Sequence, residues 1–305
     1  MGNSLLFAAP EPSYHPLEYQ DELLWAPRGS EQEPQWGVPC LLLQHPEAVH
    51  FLIYFHANSE DLGHIYMTLR YLRTLLRVHV LAVEYPGYGI CSGTPTERRV
   101  LADAEIVLDL VRDQLEVPVD RIMFMGRSLG GGPAIYLASR CQCAGLVTVG
   151  AFSSIYAVVG SFAGMTGWLV DVFDNGERIR SVRCPTLILH GLLDEIVSAD
   201  QAQELADACG VDAHDRKRVK LSISDNLGHN DFHIKNDIIH MVLNAFPGLD
   251  RGERLQLANL GDVFRPQPEV LAPDVLQRVA FPPGWRPAAP PFSRLKIIGA
   301  DGDEL

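Results

Sequence analysis

From His50 onward the chain alternates short β-rich apolar runs with stretches of helical periodicity, and that alternation constrains the fold more than any other feature. Strands rich in Val, Ile, Leu and Phe fit His50 to Phe55, Val78 to Glu84, Arg121 to Gly126, Ala144 to Gly150, Pro185 to His190 and Arg218 to Ser224. Helices fit His64 to Leu76, Thr96 to Leu115, Ser128 to Arg140, Ala199 to Ala208 and Asp231 to Phe246. Strand and helix in turn are the signature of an α/β fold with a mostly parallel central sheet and helices on both faces. Cys40 to Gln44 reads as an earlier antiparallel strand, with another near Glu22 to Trp25.

The rhythm breaks between the Ala144 and Pro185 strands. There Ile155 to Phe173 offers apolar residues and glycines instead of a plain crossover helix. An insertion at that point stands above the C-terminal edge of the sheet, where ligands bind in such folds, so about 152–182 is expected to form a small apolar cap. The chain divides into an N-terminal segment over 1–30, an α/β domain over 31–247, and a C-terminal extension over 248–305. Prolines accumulate in that extension from Arg265 to Phe292, which predicts an extended or partly disordered tail.

The strand residues Met123-Phe124-Met125 run into Gly126-Arg127-Ser128-Leu129-Gly130, a G-x-S-x-G motif leading into an apolar helix. Glycines flank such a serine because it sits on a strained strand-to-helix turn, where a β-carbon would clash and the hydroxyl must project outward. A free serine is a weak nucleophile and needs a base. After the strand ending at His190, Asp194 stands in the next loop; after Ser224, His229 stands in the one following. The order Ser, Asp, His is that of the nucleophile-elbow hydrolases, with His229 as general base and Asp194 as the carboxylate that orients and stabilises the imidazole. Glu195 and Asp231 are the neighbours most easily confused with the acid. His190 and His56, at strand ends, read as hydrogen-bonded scaffold residues.

An oxyanion needs donors near this serine. The backbone N–H of Leu129 supplies one, and the loop His56-Ala57-Asn58-Ser59-Glu60-Asp61-Leu62-Gly63 supplies another from Asn58, with Ser59 as the alternative. This chemistry calls for no cofactor and no metal.

These residues, together with Glu84-Tyr85-Pro86-Gly87-Tyr88-Gly89, Ser92-Gly93-Thr94-Pro95 and the early Pro12-Ser13-Tyr14, resemble the α/β-hydrolase-domain family of protein depalmitoylases. The similarity spans roughly residues 10 to 246. The family's H-G-N-A-x-D-x-G loop is H-A-N-S-E-D-L-G here, and its G-H-N-D histidine loop is unchanged. The resemblance implies an α/β-hydrolase fold and a thioesterase acting on S-acylated cysteine in proteins. Three departures stand out: Ala57 replaces a glycine, Cys91 replaces a serine, and no cysteine precedes Cys40 where animal members carry an acylated cluster.

The formal net charge of -13 disfavours a nucleic-acid partner and adhesion to anionic lipid through a basic patch. Six scattered cysteines fit reduced thiols in a cytoplasmic setting, and no stretch reads as a secretory leader or a bilayer span. Met1-Gly2-Asn3-Ser4 begins like an N-myristoylation signal but has Leu6 where Ser or Thr belongs, so peripheral membrane contact through the N-terminus is an open expectation. Three functional readings follow: a long-chain acyl thioesterase, a carboxylesterase or monoacylglycerol lipase acting on a small acyl ester, and a non-catalytic binding protein that keeps the fold.

Overall fold

The computed structural model describes residues 7–19, 21–28, 37–155, 173–210 and 215–258. Its strands are β1 (Leu23–Ala26), β2 (Val38–Leu43), β3 (Phe51–Phe55), β4 (His79–Val83), β5 (Ile122–Arg127), β6 (Gly145–Val149), β7 (Thr186–Gly191) and β8 (Val219–Ser224). The helices are α1 (Leu62–Leu76), α2 (Glu97–Asp109), α3 (Gly131–Arg140), α4 (Asn175–Arg178), α5 (Ala199–Cys209) and α6 (His240–Ala245). The strands form one sheet in the order β1-β2-β4-β3-β5-β6-β7-β8. β2 is antiparallel to both β1 and β4, and every pairing from β4 to β8 is parallel. This is the mostly parallel sheet expected from the sequence.

Period-two alternation builds two cores, one on each face. Phe51, Ile53 and Phe55 of β3 and Phe124 of β5 point to one side, where they meet Val100 and Val107 of α2, Ile135 and Leu137 of α3, and Leu205 of α5. Leu52, Tyr54, Met123 and Met125 point to the other, against α1 and Val242 of α6. Leu62, Ile65, Leu69, Leu72 and Leu76 make the apolar stripe of α1, with a spacing that returns to one face each turn. Asp61 caps this helix by accepting the His64 N–H at 3.0 Å, and Thr96 does the same for α2 through the Arg99 N–H.

Several boundaries differ from the sequence reading for local reasons. The α2 region leaves the α-helical path after Asp109 and runs as a π-turn over Leu110–Gln114. The last helical stretch begins at Ile234 instead of Asp231, because the Asp231 side chain closes the preceding loop by accepting the Gly228 N–H at 2.8 Å. The segment before residue 31 is built into the domain: β1 edges the sheet, and Phe7 and Tyr14 are buried. Packing also continues past residue 247, with Leu249 in the core under α1 and Leu255 against the core on the other face. Most of the expected cap, 156–172, lies outside the described residues, as do residues 1–6 and 259–305. Among the described residues no helix is long and apolar enough to cross a membrane.

Candidate active site

The chain leaves β3 toward β4 on one side and returns to place β5 on the other, so the C-terminal ends of β3 and β5 flank a topological switch point. The loops that follow β3, β5, β7 and β8 carry the candidate residues. Ser128 begins the turn after β5 with φ +51°, the left-handed region that costs an L-residue about 1–2 kcal/mol. Gly126 and Gly130 make that turn possible. A Cβ on Gly126 would lie 2.0 Å from the Gly130 carbonyl oxygen, and one on Gly130 would lie 2.1 Å from that of Phe55.

Ser128 Oγ is 2.9 Å from His229 Nε2, and His229 Nδ1 is 2.7 Å from Asp194 Oδ2. A carboxylate only accepts, so the imidazole proton resides on Nδ1 and the Nε2 lone pair faces the serine hydroxyl. The other oxygen, Asp194 Oδ1, accepts the N–H groups of Ile196 at 2.9 Å and Val197 at 2.8 Å. His190 adds a further contact: its Nε2 donates to the Val197 carbonyl at 2.8 Å and sits 3.3 Å from Asp194 Oδ2. Burial pushes the Asp194 carboxyl up, but the bonds from His190, His229 and Val197 outweigh it and hold the pKa well below the usual carboxylate range. The group is therefore ionised at neutral pH, ready to stabilise an imidazolium. Glu195 and Asp231 do not compete for this place: Glu195 is exposed, and the Asp231 side chain serves the Gly228 turn.

Ser128 and His229 line a cavity of about 260 Å³, with Asp194 buried behind the imidazole. Its lining combines apolar residues, Leu129, Phe152, Ile155, Ile196 and Val197, with polar ones, Asn58, Ser59, Glu60, Arg127 and Asn230. Phe152 and Ile155 are thus the described part of the expected cap that reaches the site.

Both oxyanion candidates border this cavity, Leu129 at the start of the helical turn after Ser128 and Asn58 in the loop after β3. The Ala57 N–H is committed to Glu60 Oε2 at 2.9 Å. Asn58 is fastened from behind, its Oδ1 accepting from Tyr88 Oη at 2.6 Å and from the Ala8 N–H at 2.9 Å. Beneath the loop lies a fully buried scaffold. His56 Nε2 bonds Glu84 Oε1 at 3.0 Å, His56 Nδ1 bonds the Ala57 carbonyl at 2.8 Å, and Glu84 Oε2 accepts from Tyr14 Oη and the Leu62 N–H. Both partners of His56 only accept, so both ring nitrogens carry protons. Burial opposes that charge, and the hydrogen bond and charge of Glu84 raise the His56 pKa despite it.

Sequence reasoning did not reach the N-terminal strap over this loop, in which Ser13 and Tyr14 bond Asp61 and Glu84. Nor did it reach the Arg127–Glu60 pair. A charge directly before the nucleophile and another in the facing loop were the available signals.

No family model matches the sequence. The alpha/beta hydrolase domain-containing protein aho-3 of Caenorhabditis elegans is 30% identical over 226 residues, covering 68% of this chain and 68% of that protein. The human alpha/beta hydrolase domain-containing protein 17B is 27% identical over 195 residues, covering 64% of this chain and 65% of that protein. The Xenopus laevis 17C protein is 28% identical over 196 residues, covering 64% and 61%. The chain therefore matches about two thirds or slightly less of the length of these relatives. Among solved structures, a Pyrococcus furiosus esterase superposes with a TM-score of 0.60 at 15% identity, covering 80% of this chain and 100% of that one. A monoacylglycerol lipase of Paleococcus ferrophilus superposes with a TM-score of 0.54 at 16% identity, covering 68% and 98%. These two share the fold. With the aho-3 similarity and a sheet order and elbow of the matching kind, the chain belongs to the family of alpha/beta hydrolase domain-containing proteins.

Proposed function

We propose that this protein is a serine hydrolase that cleaves long-chain acyl thioesters from S-acylated proteins through a Ser–His–Asp mechanism and an acyl-enzyme. The observation that carries the reading is the relay from Asp194 through His229 to Ser128, with Ser128 and His229 lining a cavity of mixed apolar and polar residues. Ser128 Oγ attacks the acyl carbonyl carbon as its proton moves to His229 Nε2. The oxyanion is met by the Leu129 and Asn58 N–H groups, with Ser59 as the alternative to Asn58. The C–S bond breaks, and the departing cysteine takes the proton from the imidazolium. Water then attacks the acyl-serine carbonyl as its proton moves to His229, and the Ser128 oxygen leaves with that proton as the fatty acid is released.

The apolar lining residues suit the acyl chain and the polar ones suit the leaving group. Ile196, on the loop that carries Asp194, is exposed and lines the cavity, which favours a substrate presented with a lipid chain. A cysteine thiol, with a pKa near ~8.5, leaves far more readily than an alcohol. The same machinery serves an oxygen ester, and Ser59 in the cavity lining offers a hydrogen-bond partner to a small polyol. That feature favours a carboxylesterase or monoacylglycerol lipase as the second reading.

Matched peptides carrying palmitate on cysteine or on serine separate the two. A thioesterase gives the higher kcat/KM on the cysteine peptide beyond the difference in intrinsic hydrolysis. Turnover confined to oxygen esters would replace the proposal with the lipid-esterase reading.

A further inference from the structure

We propose that Arg127 is a positioning residue for hydrolysis, a strap that holds the oxyanion loop and the histidine loop in register on either side of the nucleophile. The inference rests on the serine-hydrolase reading above but not on its choice of thioester. Arg127 directly precedes Ser128 and ends β5, so its backbone is fixed by the sheet. Its guanidinium then reaches in two directions. Nη1 donates to Glu60 Oε1 in the loop after β3. Nη2 donates to Asn230 Oδ1 at 2.9 Å and to the His229 carbonyl at 3.4 Å in the loop after β8.

Glu60 extends the link, because its second oxygen accepts the Ala57 N–H at 2.9 Å. A continuous path thus runs from the amide beside the oxyanion donors, through Glu60 and Arg127, to the backbone of the general base. The two side chains are 19% and 23% exposed, so the pair is largely withdrawn from water and less screened than a surface pair. The planar fork of an arginine can serve partners on two loops at once, which a lysine cannot do with the same geometry.

None of the apolar residues that line the cavity takes part in the strap, so losing it leaves that lining in place for the acyl chain. What changes is the placement of donor and base relative to Ser128 Oγ. Displacements on the order of 1 Å in a catalytic group cost up to about 100-fold in rate. The signature is a fall in kcat at nearly constant KM.

The test uses Arg127→Met, Glu60→Gln and the double variant, with p-nitrophenyl butyrate turnover and the rate of Ser128 modification by a fluorophosphonate probe. Thermal melting of each protein accompanies the kinetics, and Glu60→Gln probes the same link from the other end should Arg127→Met fail to fold. Arg127→Met is expected to lower kcat and the labelling rate about 10- to 100-fold with KM within about twofold. The double variant is expected to fall no more than about twofold below Arg127→Met, because both substitutions cut one path. A kcat within about twofold of wild type in the folded single variants, or losses that multiply in the double variant, would overturn the strap while leaving the hydrolase reading intact. A wild type with no Ser128-dependent turnover or labelling would overturn both.

Discussion

Replacing Asp194 with asparagine alters one atom and one charge at a point where four donors converge. Oδ1 takes the N–H groups of Ile196 and Val197, and Oδ2 takes His229 Nδ1 and the weaker contact from His190 Nε2. An amide offers one accepting oxygen, so its NH₂ group must face one of these pairs. If the oxygen stays with the backbone pair, His229 meets a donor and moves its proton to Nε2, losing the lone pair that faces Ser128. The change removes two charge-assisted bonds of about 1.5–3 kcal/mol each, so about 3–6 kcal/mol of support for the imidazolium is lost. At ~1.36 kcal/mol per tenfold, kcat/KM on a p-nitrophenyl ester falls roughly 10²- to 10⁴-fold. A loss of less than about tenfold would refute the assignment and reopen the roles of Glu195 and Asp231. The same carboxyl controls acid stability. Its folded pKa lies below the unfolded value of about 3.9, so its contribution is complete above that pH and is lost as the pH falls toward the folded pKa. The asparagine variant lacks this component and should show a flatter dependence of unfolding free energy on pH below about 4.

Two further substitutions test the scaffold. Ser128→Gly should melt above Ser128→Ala, because alanine keeps the left-handed strain of about 1–2 kcal/mol while glycine relieves it. The larger unfolded-state entropy of glycine takes back about 0.4–1 kcal/mol, and a Ser128→Gly protein that melts below Ser128→Ala would contradict the strain assignment. Glu84→Ala should cost about 3–5 kcal/mol in urea unfolding, since it strands buried His56 together with Tyr14 Oη and the Leu62 N–H. The raised folded pKa of His56 adds a pH signature. The stability it contributes is complete below about 6.5, is lost as pH rises through the folded value, and disappears from the profile of the alanine variant.

The residues that follow a local rule were readable in the sequence. The alternation of Phe51 to Phe55 and Ile122 to Met125 announced strands buried on both faces, and the glycines around Ser128 announced a turn that has no room for a Cβ. Asp194 and His229 were legible because chain order and strand ends restrict where such groups can stand. What stayed hidden depends on approach between distant segments. Arg127 and Glu60 are 67 positions apart, and Ala8 meets Asn58 across 50. Neither contact leaves a periodicity in the sequence. The late start of the final helix was hidden for another reason: apolar spacing continues through Phe232 and Ile234, while Asp231 spends its side chain on the turn that presents His229.

The central claim is hydrolysis through an acyl group carried on Ser128. Wild-type protein and Ser128→Ala, compared on a palmitoyl-thioester peptide with fatty-acid release and intact-protein mass followed together, test it most directly. The account predicts turnover and a serine-linked palmitoyl adduct in the wild type, with neither in the variant. Thioester cleavage that persists in a folded Ser128→Ala protein would contradict it.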